Sequence, residues 1–436
     1  MENHHGESKV FTKRKSIKLF VENFGPIEKA DIEIGDFTVI IGPNSSGKTF
    51  LTLLADRMIA AASESFSFSV PNSVFNAIDE IIVKGEDKGY PININMSEYP
   101  KETVDQIVDY VMNNLNKIGV WQNLDFGTSF AQKIFQYFQT DPNNLIRFGS
   151  DHARIMAYFE HMEIDITIPK QGSPKVEFQL NTEFLSKYVK QFTANFVGRG
   201  SGGYGSSYFP VGFRNVLIPT ERISVLVTLP NIIEDLAKFR GLQNFFPVSS
   251  QAQQQQGKLS LIDFVANYLN AIQNLTASKK EISKNASDLI MGSLTLGLNL
   301  PPFYINFRAG ENSIPLNLIS SGTLQLIPLI VMAESNRNNI LLIEEPEINL
   351  HANKQVEVAE YLWNLVEERD NSIFTSTHSD YLVMRLAHLS KGNKKKNLRV
   401  YLLNEGHTKP LKIDKNGEIE EIKTIGSVMN KLLLEA

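Results

Sequence analysis

Residues 37–49 read FTVIIGPNSSGKT, and this segment is the most informative one for the fold of the chain. It begins as an apolar, β-branched strand over Phe37–Ile41 and runs directly into the glycine-rich loop Gly42–Thr49. Beyond the loop, apolar residues recur at helical spacing as far as Ile59. A strand, a glycine-rich loop and a helix in this order predict an α/β domain that carries a phosphate-binding loop.

The loop matches the pattern G-x-x-x-x-G-K-[ST], in which glycines let backbone N–H groups face phosphate oxygens. Lys48 is expected to reach the β- and γ-phosphates of a nucleotide, and the Thr49 hydroxyl is expected to bind Mg²⁺. A chance Gly/Ser loop before a helix is the alternative, and the strand–loop–helix context disfavours it. We therefore predict an ATP site with Mg²⁺ as cofactor, whose nucleotide-binding residues are Gly42, Pro43, Asn44, Ser45, Ser46, Gly47, Lys48 and Thr49.

A second motif, NILLIEEPE, occupies Asn339–Glu347. An apolar strand that ends in adjacent carboxylates places acid at the carboxyl end of a sheet strand, where the sites of open α/β sheets lie. We predict that Glu344 holds Mg²⁺ and that Glu345 orients or deprotonates the attacking water. Alone, the pattern equally fits a strand that runs into a solvated acidic turn. The phosphate loop elsewhere in the chain favours the catalytic interpretation.

Two shorter motifs carry hydroxyl groups and a histidine. Leu318–Thr323 reads LISSGT before an apolar stretch, which predicts a helix start where Ser320, Ser321 and Gly322 bind phosphate; an ordinary N-cap is the alternative. The strand predicted over Ser372–Ser376 is followed by His378, which could touch a γ-phosphate as a catalytic residue or serve only a structural role.

The composition excludes several other kinds of site. The 436 residues include no cysteine, so disulfides, thiolate metal sites and cysteine nucleophiles are absent. A formal net charge of −5 provides no general attraction to nucleic acid or anionic membranes, so any such binding would need a local patch. Neither a secretory signal nor a membrane-spanning apolar run is visible, which predicts a soluble cytoplasmic protein without a membrane partner.

Four segments are predicted along the chain. Residues 1–60 form the first part of a head and contain the phosphate loop, and residues 301–436 form its second part, which contains the acidic motif and His378. Residues 61–215 form an inserted lobe with helices and a β-hairpin. Residues 216–300 form a helical arm. In the first part of the head we predict strands at Ser16–Val21 and Ala30–Ile34 around the turn Asn23–Pro26. In the inserted lobe we predict helices near Lys101–Ile118 and Ser129–Phe138, a hairpin of Ile164–Ile168 and Val176–Leu180, and a Gly/Ser loop at Gly198–Ser207. In the arm we predict helical stretches over Ile223–Phe246 and Leu259–Ile290, joined by the Gln-rich loop Ser249–Lys258.

Taken in order, these motifs resemble the ABC-type ATPase heads of the SMC/RecF class, and more closely its OLD-like branch. The resemblance covers Ser16–Met58, with SIKLFVENFGPIEKADIEI and FTVIIGPNSSGKT, and Ile314–Leu403, with ISSGTLQLIPLI, ILLIEEPEINLHANKQ and FTSTHSDYL. It implies a P-loop NTPase head built on a mixed sheet with flanking helices and a largely helical insertion. It further implies that ATP binding joins two heads into a homodimer or higher homo-oligomer.

The resemblance assigns a role to each motif. It makes Gly42–Thr49 the Walker A motif and Ile319–Thr323 the signature motif. It makes Ile340–Glu345 the Walker B motif, with Glu345 as the catalytic carboxylate. It also makes Ile348–His351 the D-loop and His378 the switch histidine. The chain departs from the family pattern at Glu344 and His351, where aspartate is usual in many ABC proteins. No Q-loop glutamine is visible, and Thr220, Glu221 and Arg222 are the candidates to replace it.

The resemblance implies an ATPase in anti-phage defence or DNA repair that controls a separate effector protein or engages DNA, so nucleic acid is a candidate partner. Too few residues follow His378 for the TOPRIM nuclease domain of OLD-family nucleases, so we expect the chain to lack one. Two alternatives stay open, namely a nucleotide-gated scaffold with negligible turnover and a transporter-type ABC subunit.

Overall fold

The structure is a computed structural model, and it describes residues 16–64, 67–68, 102, 106, 124–138, 140–160, 162–180, 207–208, 215–224, 226, 260–277, 282–297, 304–391, 393 and 396–419. Several predicted segments lie wholly or largely outside the described residues: the helix at Lys101–Ile118, the loop Gly198–Ser207, the helix at Ile223–Phe246 and the Gln-rich loop Ser249–Lys258.

Strands and helices alternate through most of the described residues. The strands are β1 (Ile17–Phe24), β2 (Ile27–Ile34), β3 (Phe37–Ile41), β4 (Ser67–Phe68), β5 (His152–Tyr158), β6 (Met162–Pro169), β7 (Lys175–Leu180), β8 (Ser207–Tyr208), β9 (Asn215–Ile218), β10 (Ser293–Gly297), β11 (Tyr304–Ala309), β12 (Asn312–Ile314), β13 (Ile340–Glu344), β14 (Ser372–Thr377), β15 (Leu398–Asn404) and β16 (His407–Leu411). The α-helices are α1 (Lys48–Glu64), α2 (Leu124–Phe135), α3 (Ser260–Ala277), α4 (Lys284–Ile290), α5 (Ser321–Ser335), α6 (Ala352–Arg369) and α7 (Asp380–Ser390).

One mixed sheet organises the molecule. Its eleven strands follow the order β7-β6-β5-β1-β2-β16-β15-β3-β14-β13-β9. The five strands β15, β3, β14, β13 and β9 are parallel to one another. The strands β7, β6, β5, β1 and β2 form an antiparallel wing. Strand β16 joins the two parts, since it is antiparallel to β15 and parallel to β2. The predicted α/β fold with a mixed sheet and flanking helices is confirmed.

Both faces of the parallel strands are buried, which explains their continuous apolar sequences. In β13, Leu341 and Ile343 lie in a core cluster with helices α3 to α7, while Ile340 and Leu342 lie in a second cluster with α1 and α2. Side chains alternate between the faces because successive residues of a strand point in opposite directions. The sheet is therefore the middle layer of the domain.

The turn between the first two strands is tighter than predicted. Strand β1 continues to Phe24 and β2 begins at Ile27, so only Gly25 and Pro26 form the turn. Phe24 is fully buried and its ring packs near those of Phe50, Phe135 and Phe138. Burial of this ring extends the strand through the predicted turn.

The hairpin predicted at Ile164–Ile168 and Val176–Leu180 is confirmed as the antiparallel pair β6 and β7. Strand β6 also pairs with β5, and β5 pairs with β1 of the main sheet. The helix predicted near Ser129–Phe138 corresponds to α2 and a short 3₁₀ turn after it. The sheet thus continues across the predicted boundary at residue 61.

The helical stretch predicted over Leu259–Ile290 is two helices, and Ser283 caps the second of them by accepting the N–H of Ala286. Tyr268 and Ile272 of α3 are fully buried, in the same core cluster as Leu329 of α5. Helices α3 and α4, which belong to the segment predicted as a helical arm, thus pack in the same core cluster as α5. None of the helices in the described residues is long and apolar enough to cross a membrane.

Candidate functional site

Three neighbouring strands end at one edge of the sheet and bring the predicted motifs together. Strand β14 lies between β3 and β13, with Ser376 beside Glu344. The phosphate loop follows β3, the acidic turn follows β13 and His378 follows β14. Because parallel strands end at the same edge, these segments meet although they are far apart in sequence. Lys48, Glu344, Glu345 and His378 thus surround one site.

Lys48 begins helix α1 and is held across the phosphate loop. The residue is only 5% exposed, and Nζ donates to the carbonyl oxygens of Gly42 at 2.9 Å and Pro43 at 2.8 Å. Burial lowers the pKa of Lys48, and the negative charges of Glu345 and Glu347 oppose that shift. The ammonium group therefore lies inside the loop, where phosphate oxygens could replace its two neutral acceptors.

Close contacts explain two glycines of the loop. A Cβ atom at Gly42 would lie 2.1 Å from the carbonyl oxygen of Leu403, and one at Gly47 would lie 2.9 Å from Cγ of Pro26. Gly47 also has a φ of +104°, which side-chain-bearing residues rarely adopt. The end of β15 and the β1–β2 turn therefore form two walls of the loop.

Glu344 and Thr49, the two predicted Mg²⁺ ligands, are in contact. The Glu344 carboxylate is almost fully buried and accepts hydrogen bonds from the Thr220 N–H and the Thr49 hydroxyl. Burial raises the pKa of Glu344 to about 7, and the nearby charge of Glu221 adds to the shift. A buried carboxylate beside a hydroxyl is the oxygen donor set that hard cations prefer, so these residues fit Mg²⁺.

No group of three or more histidine, aspartate or glutamate side chains in the described ranges could hold a metal ion by itself. Magnesium in nucleotide sites needs only one or two protein ligands, because substrate phosphates and water complete its coordination. The contact between Glu344 and Thr49 matches that requirement.

Glu345 and His378 face each other across the site. The Glu345 backbone N–H donates to the carbonyl oxygen of Ser376 at 2.9 Å, which fixes the acidic turn to strand β14. Glu345 has a φ of +41°, and its Oε1 atom lies 3.7 Å from Nε2 of His378. Both side chains are about one-third exposed, at 31% for Glu345 and 35% for His378. They are thus accessible to a bound nucleotide and to water.

Glu347 is a residue of the site that the sequence reasoning missed. It is 8% exposed, and its Oε1 atom accepts the backbone N–H of His378 at 2.7 Å. Burial raises the pKa of Glu347, whereas the hydrogen bonds from His378 and Thr377 lower it. Glu347 therefore ties the acidic turn to the loop that carries His378. The sequence feature that could have identified Glu347 is its position two residues after Glu345.

Arg222, one of the three candidates that the sequence offered for the Q-loop position, also contributes to the site. Its side chain is fully buried, and it donates to the carbonyl oxygens of Glu344 at 2.9 Å and Glu345 at 3.0 Å. Burial lowers the pKa of Arg222 to about 10, with opposing effects from Glu347 and Glu345. The guanidinium group stays protonated at neutral pH and stabilises the backbone of the acidic turn. No sequence motif marks it.

The Ser320–Gly322 segment begins helix α5 at an exposed surface. Ser320 is the N-cap, and its Oγ atom accepts the Thr323 N–H at 3.3 Å. A Cβ atom at Gly322 would lie 3.0 Å from the carbonyl oxygen of Asn349, in the turn after β13. Among the described residues, no hydrogen bond or ion pair joins Ser320–Gly322 to the phosphate loop of the same chain. His351, at the end of that turn, is exposed and makes no side-chain capping bond to α6.

The buried carboxylate of Glu344 predicts a pH-dependent stability in the absence of Mg²⁺ and nucleotide. Its folded-state pKa of about 7 exceeds the unfolded value of 4.5, so its contribution to stability declines as pH rises between these values. We expect Glu344→Gln to stabilise the protein by about 1–3 kcal/mol at pH 8 and much less at pH 5. Urea unfolding at both pH values measures the difference. Glu311→Gln, at an exposed turn, should change little. An equal effect of Glu344→Gln at both pH values would contradict the prediction.

The chain is similar to one protein-family model and to several solved structures. Residues 227–383 match the model of the AAA ATPase domain family. No curated protein matches the chain. Among solved structures, the chain is similar to an SMC head bound to the C-winged helix domain of ScpA, with 13% identity, coverage of 95% of this chain and 98% of the other, and a TM-score of 0.43. It is similar to the SMC head domain from Thermotoga maritima, with 11% identity, coverage of 92% and 99%, and a TM-score of 0.40. It is also similar to the recombination mediator protein RecF, with 12% identity, coverage of 92% and 100%, and a TM-score of 0.37.

Proposed function

We propose that this protein is a Mg²⁺-dependent ABC-type ATPase whose ATP-bound heads associate. The observation that carries the proposal is the meeting of Lys48, the acid pair Glu344 and Glu345, and His378 at the ends of β3, β13 and β14. A phosphate-binding lysine beside a buried acid, an accessible acid and a histidine supplies the groups that phosphoryl transfer to water requires. The match of residues 227–383 to an AAA ATPase domain supports the same reaction class.

In this mechanism, the chain acts mainly by positioning and by electrostatic stabilisation. Lys48 and the backbone N–H groups of the loop bind the β- and γ-phosphates, while Thr49 and Glu344 would hold Mg²⁺. When bound, Mg²⁺ neutralises charge on the phosphate oxygens. Glu345 accepts a proton from the attacking water, and His378 stabilises charge that develops on the γ-phosphate. Glu347 keeps the His378 backbone in place.

The exposed start of α5 supports the second half of the proposal. Ser320 and Ser321 face solvent, and the helix start offers N–H groups and a positive dipole end to an anion. A second copy of the chain could bring its own bound triphosphate to this surface. Such an interface would use the same patches on both subunits, so the dimer would be two-fold symmetric with two ATP sites.

The biological role that we propose is control of a separate effector protein or of DNA engagement, in anti-phage defence or DNA repair. This role is supported by the family resemblance alone. The closing and opening of a head pair is a change that an effector bound to the heads could sense. Copurification of the native protein, followed by identification of the bound proteins and nucleic acid, tests it; recovery of the chain alone in both nucleotide states would count against it.

The two residues that act on phosphate and water should separate binding from hydrolysis. Lys48→Ala should weaken ATP binding about 10- to 100-fold, because it removes charge-assisted hydrogen bonds to phosphate. Glu345→Gln should retain ATP binding and lower kcat about 10²- to 10⁴-fold, since it removes the proton acceptor. Nucleotide-binding titrations and phosphate release measure these effects. Glu311→Gln serves as the control, and wild-type turnover by Glu345→Gln would remove Glu345 from the mechanism.

An ATP site that is completed by the Ser320–Gly322 segment of a second subunit is a composite site. It predicts that ATP promotes association of heads. Glu345→Gln protein with ATP and Mg²⁺ should shift from monomer to dimer in light scattering, because slow hydrolysis preserves the bound state. Ser320→Arg should abolish that shift and lower hydrolysis at least about 10-fold, while single-chain ATP binding persists. Ser173→Arg, on the exposed β6–β7 turn, is the matched control. A Glu345→Gln protein that stays monomeric when saturated with ATP would rule out the composite site.

A further inference from the structure

Arg222 lies in a short 3₁₀ turn, Thr220–Arg222, that directly follows strand β9. It has no exposed surface, which is rare for an arginine. Its hydrogen bonds all go to backbone carbonyl oxygens: Glu344 at 2.9 Å, Glu345 at 3.0 Å, Pro346 at 3.4 Å, Gln325 at 3.0 Å and Pro219 at 3.2 Å. The side chain therefore works as a clamp on the main chain.

Three of the acceptors belong to the acidic turn. The turn bends sharply, because Glu345 has a left-handed backbone conformation that is unfavourable for residues other than glycine. Such a conformation persists only where surrounding contacts hold it. Arg222 supplies contacts to the carbonyl groups of Glu344, Glu345 and Pro346, immediately at the bend.

A fourth acceptor belongs to helix α5. Gln325 lies one turn after the exposed helix start at Ser320–Gly322, and its carbonyl oxygen accepts the Nε–H of Arg222. The same guanidinium group thus contacts the acidic turn and the helix that begins with Ser320. A rigid-body movement of α5 would alter the hydrogen bonds that hold Glu345.

We propose that Arg222 is a positioning residue for ATP hydrolysis, which holds the Glu345 backbone in its bent conformation and links it to helix α5. The inference rests on the proposed ATPase function and adds a regulation to it. Contact between a second subunit and the start of α5 would be transmitted to the catalytic carboxylate through one side chain. Hydrolysis would then depend on head association as well as on bound ATP.

The geometry requires arginine at this position. A guanidinium group presents several N–H donors in a planar fork, so it can bind carbonyl groups on two separate elements at once. A lysine ammonium group carries the same charge as a compact point and cannot reproduce the fork. Arg222→Lys therefore retains the charge and removes the link.

The experiment compares Arg222→Lys with Arg369→Lys. Arg369 also donates to a backbone carbonyl, that of Glu334 at 2.7 Å near the opposite end of α5, and it pairs with the Glu334 carboxylate, so its replacement tests the loss of an arginine bound to α5 away from the acidic turn. Arg222→Lys should lower kcat at least 10-fold and leave the Kd for ATP within about 3-fold of wild type. Arg369→Lys should keep the wild-type kcat. All variants are measured below their unfolding temperatures.

A chemical rescue separates positioning from general stabilisation. Millimolar guanidinium ion, added to Arg222→Ala protein, should restore part of the lost kcat, whereas ammonium chloride at equal ionic strength should not. A wild-type kcat in Arg222→Lys would overturn the proposal. Equal losses of kcat in Arg222→Lys and Arg369→Lys would do the same, since they would indicate a stability effect that is not specific to the site.

A measurement on the wild-type protein covers the case in which Arg222 variants fail to fold. The Nε–H NMR signal of Arg222 should be protected from solvent exchange and should shift when a nonhydrolysable ATP analogue and Mg²⁺ bind. An unchanged signal at saturation would overturn the link. Absence of ATP turnover in the wild-type protein would instead remove the proposed function, so the two failures are distinguishable.

Discussion

The parallel pairing of β14 between β3 and β13 is the constraint on which the site depends. Each of these strands is buried on both faces, so its register is set by apolar contacts above and below the sheet. Ile373 and Phe374, neighbours in β14, lie in opposite core clusters. A shift of one residue would exchange their environments and would separate Ser376 from the Glu345 N–H. The packing of the core thus determines the geometry of the proposed catalytic groups.

The edge of the sheet concentrates negative charge. Glu344, Glu345 and Glu347 lie within four consecutive residues, and burial raises the pKa of the first and the last. The charges of Lys48 and Arg222 interact with these acids, the former from the phosphate loop and the latter from the buried backbone clamp. A bound triphosphate would add further negative charge, and Mg²⁺ on Thr49 and Glu344 would offset it. The donor set and the charge balance are therefore both compatible with the proposed Mg²⁺.

Helix α5 connects two properties of the proposed enzyme. Its exposed start, Ser320–Gly322, is available to another subunit, and its chain continues to strand β13 and the acidic turn. Gly322 approaches Asn349 in the segment after that turn. The carbonyl oxygen of Gln325 accepts a hydrogen bond from Arg222, which also binds the acidic turn. Contacts at the surface and contacts at the proposed catalytic carboxylate, Glu345, are therefore close neighbours in the fold. This proximity gives association and hydrolysis a short physical connection.

The features that could be predicted without the fold are those encoded in short contiguous stretches of the chain. The strand, loop and helix around Gly42–Thr49, the acid pair that ends β13 and the capped start of α5 follow from local patterns of apolar, glycine and hydroxyl residues. The contacts of Arg222 and Glu347, by contrast, exist only once the chain has folded. The acceptors of Arg222 in α5 and the acidic turn lie more than a hundred residues away, and the partner of Glu347 is the backbone of His378, just after strand β14. Helical periodicity likewise marked apolar faces near Tyr268, but the surface that covers them depends on how the whole chain packs.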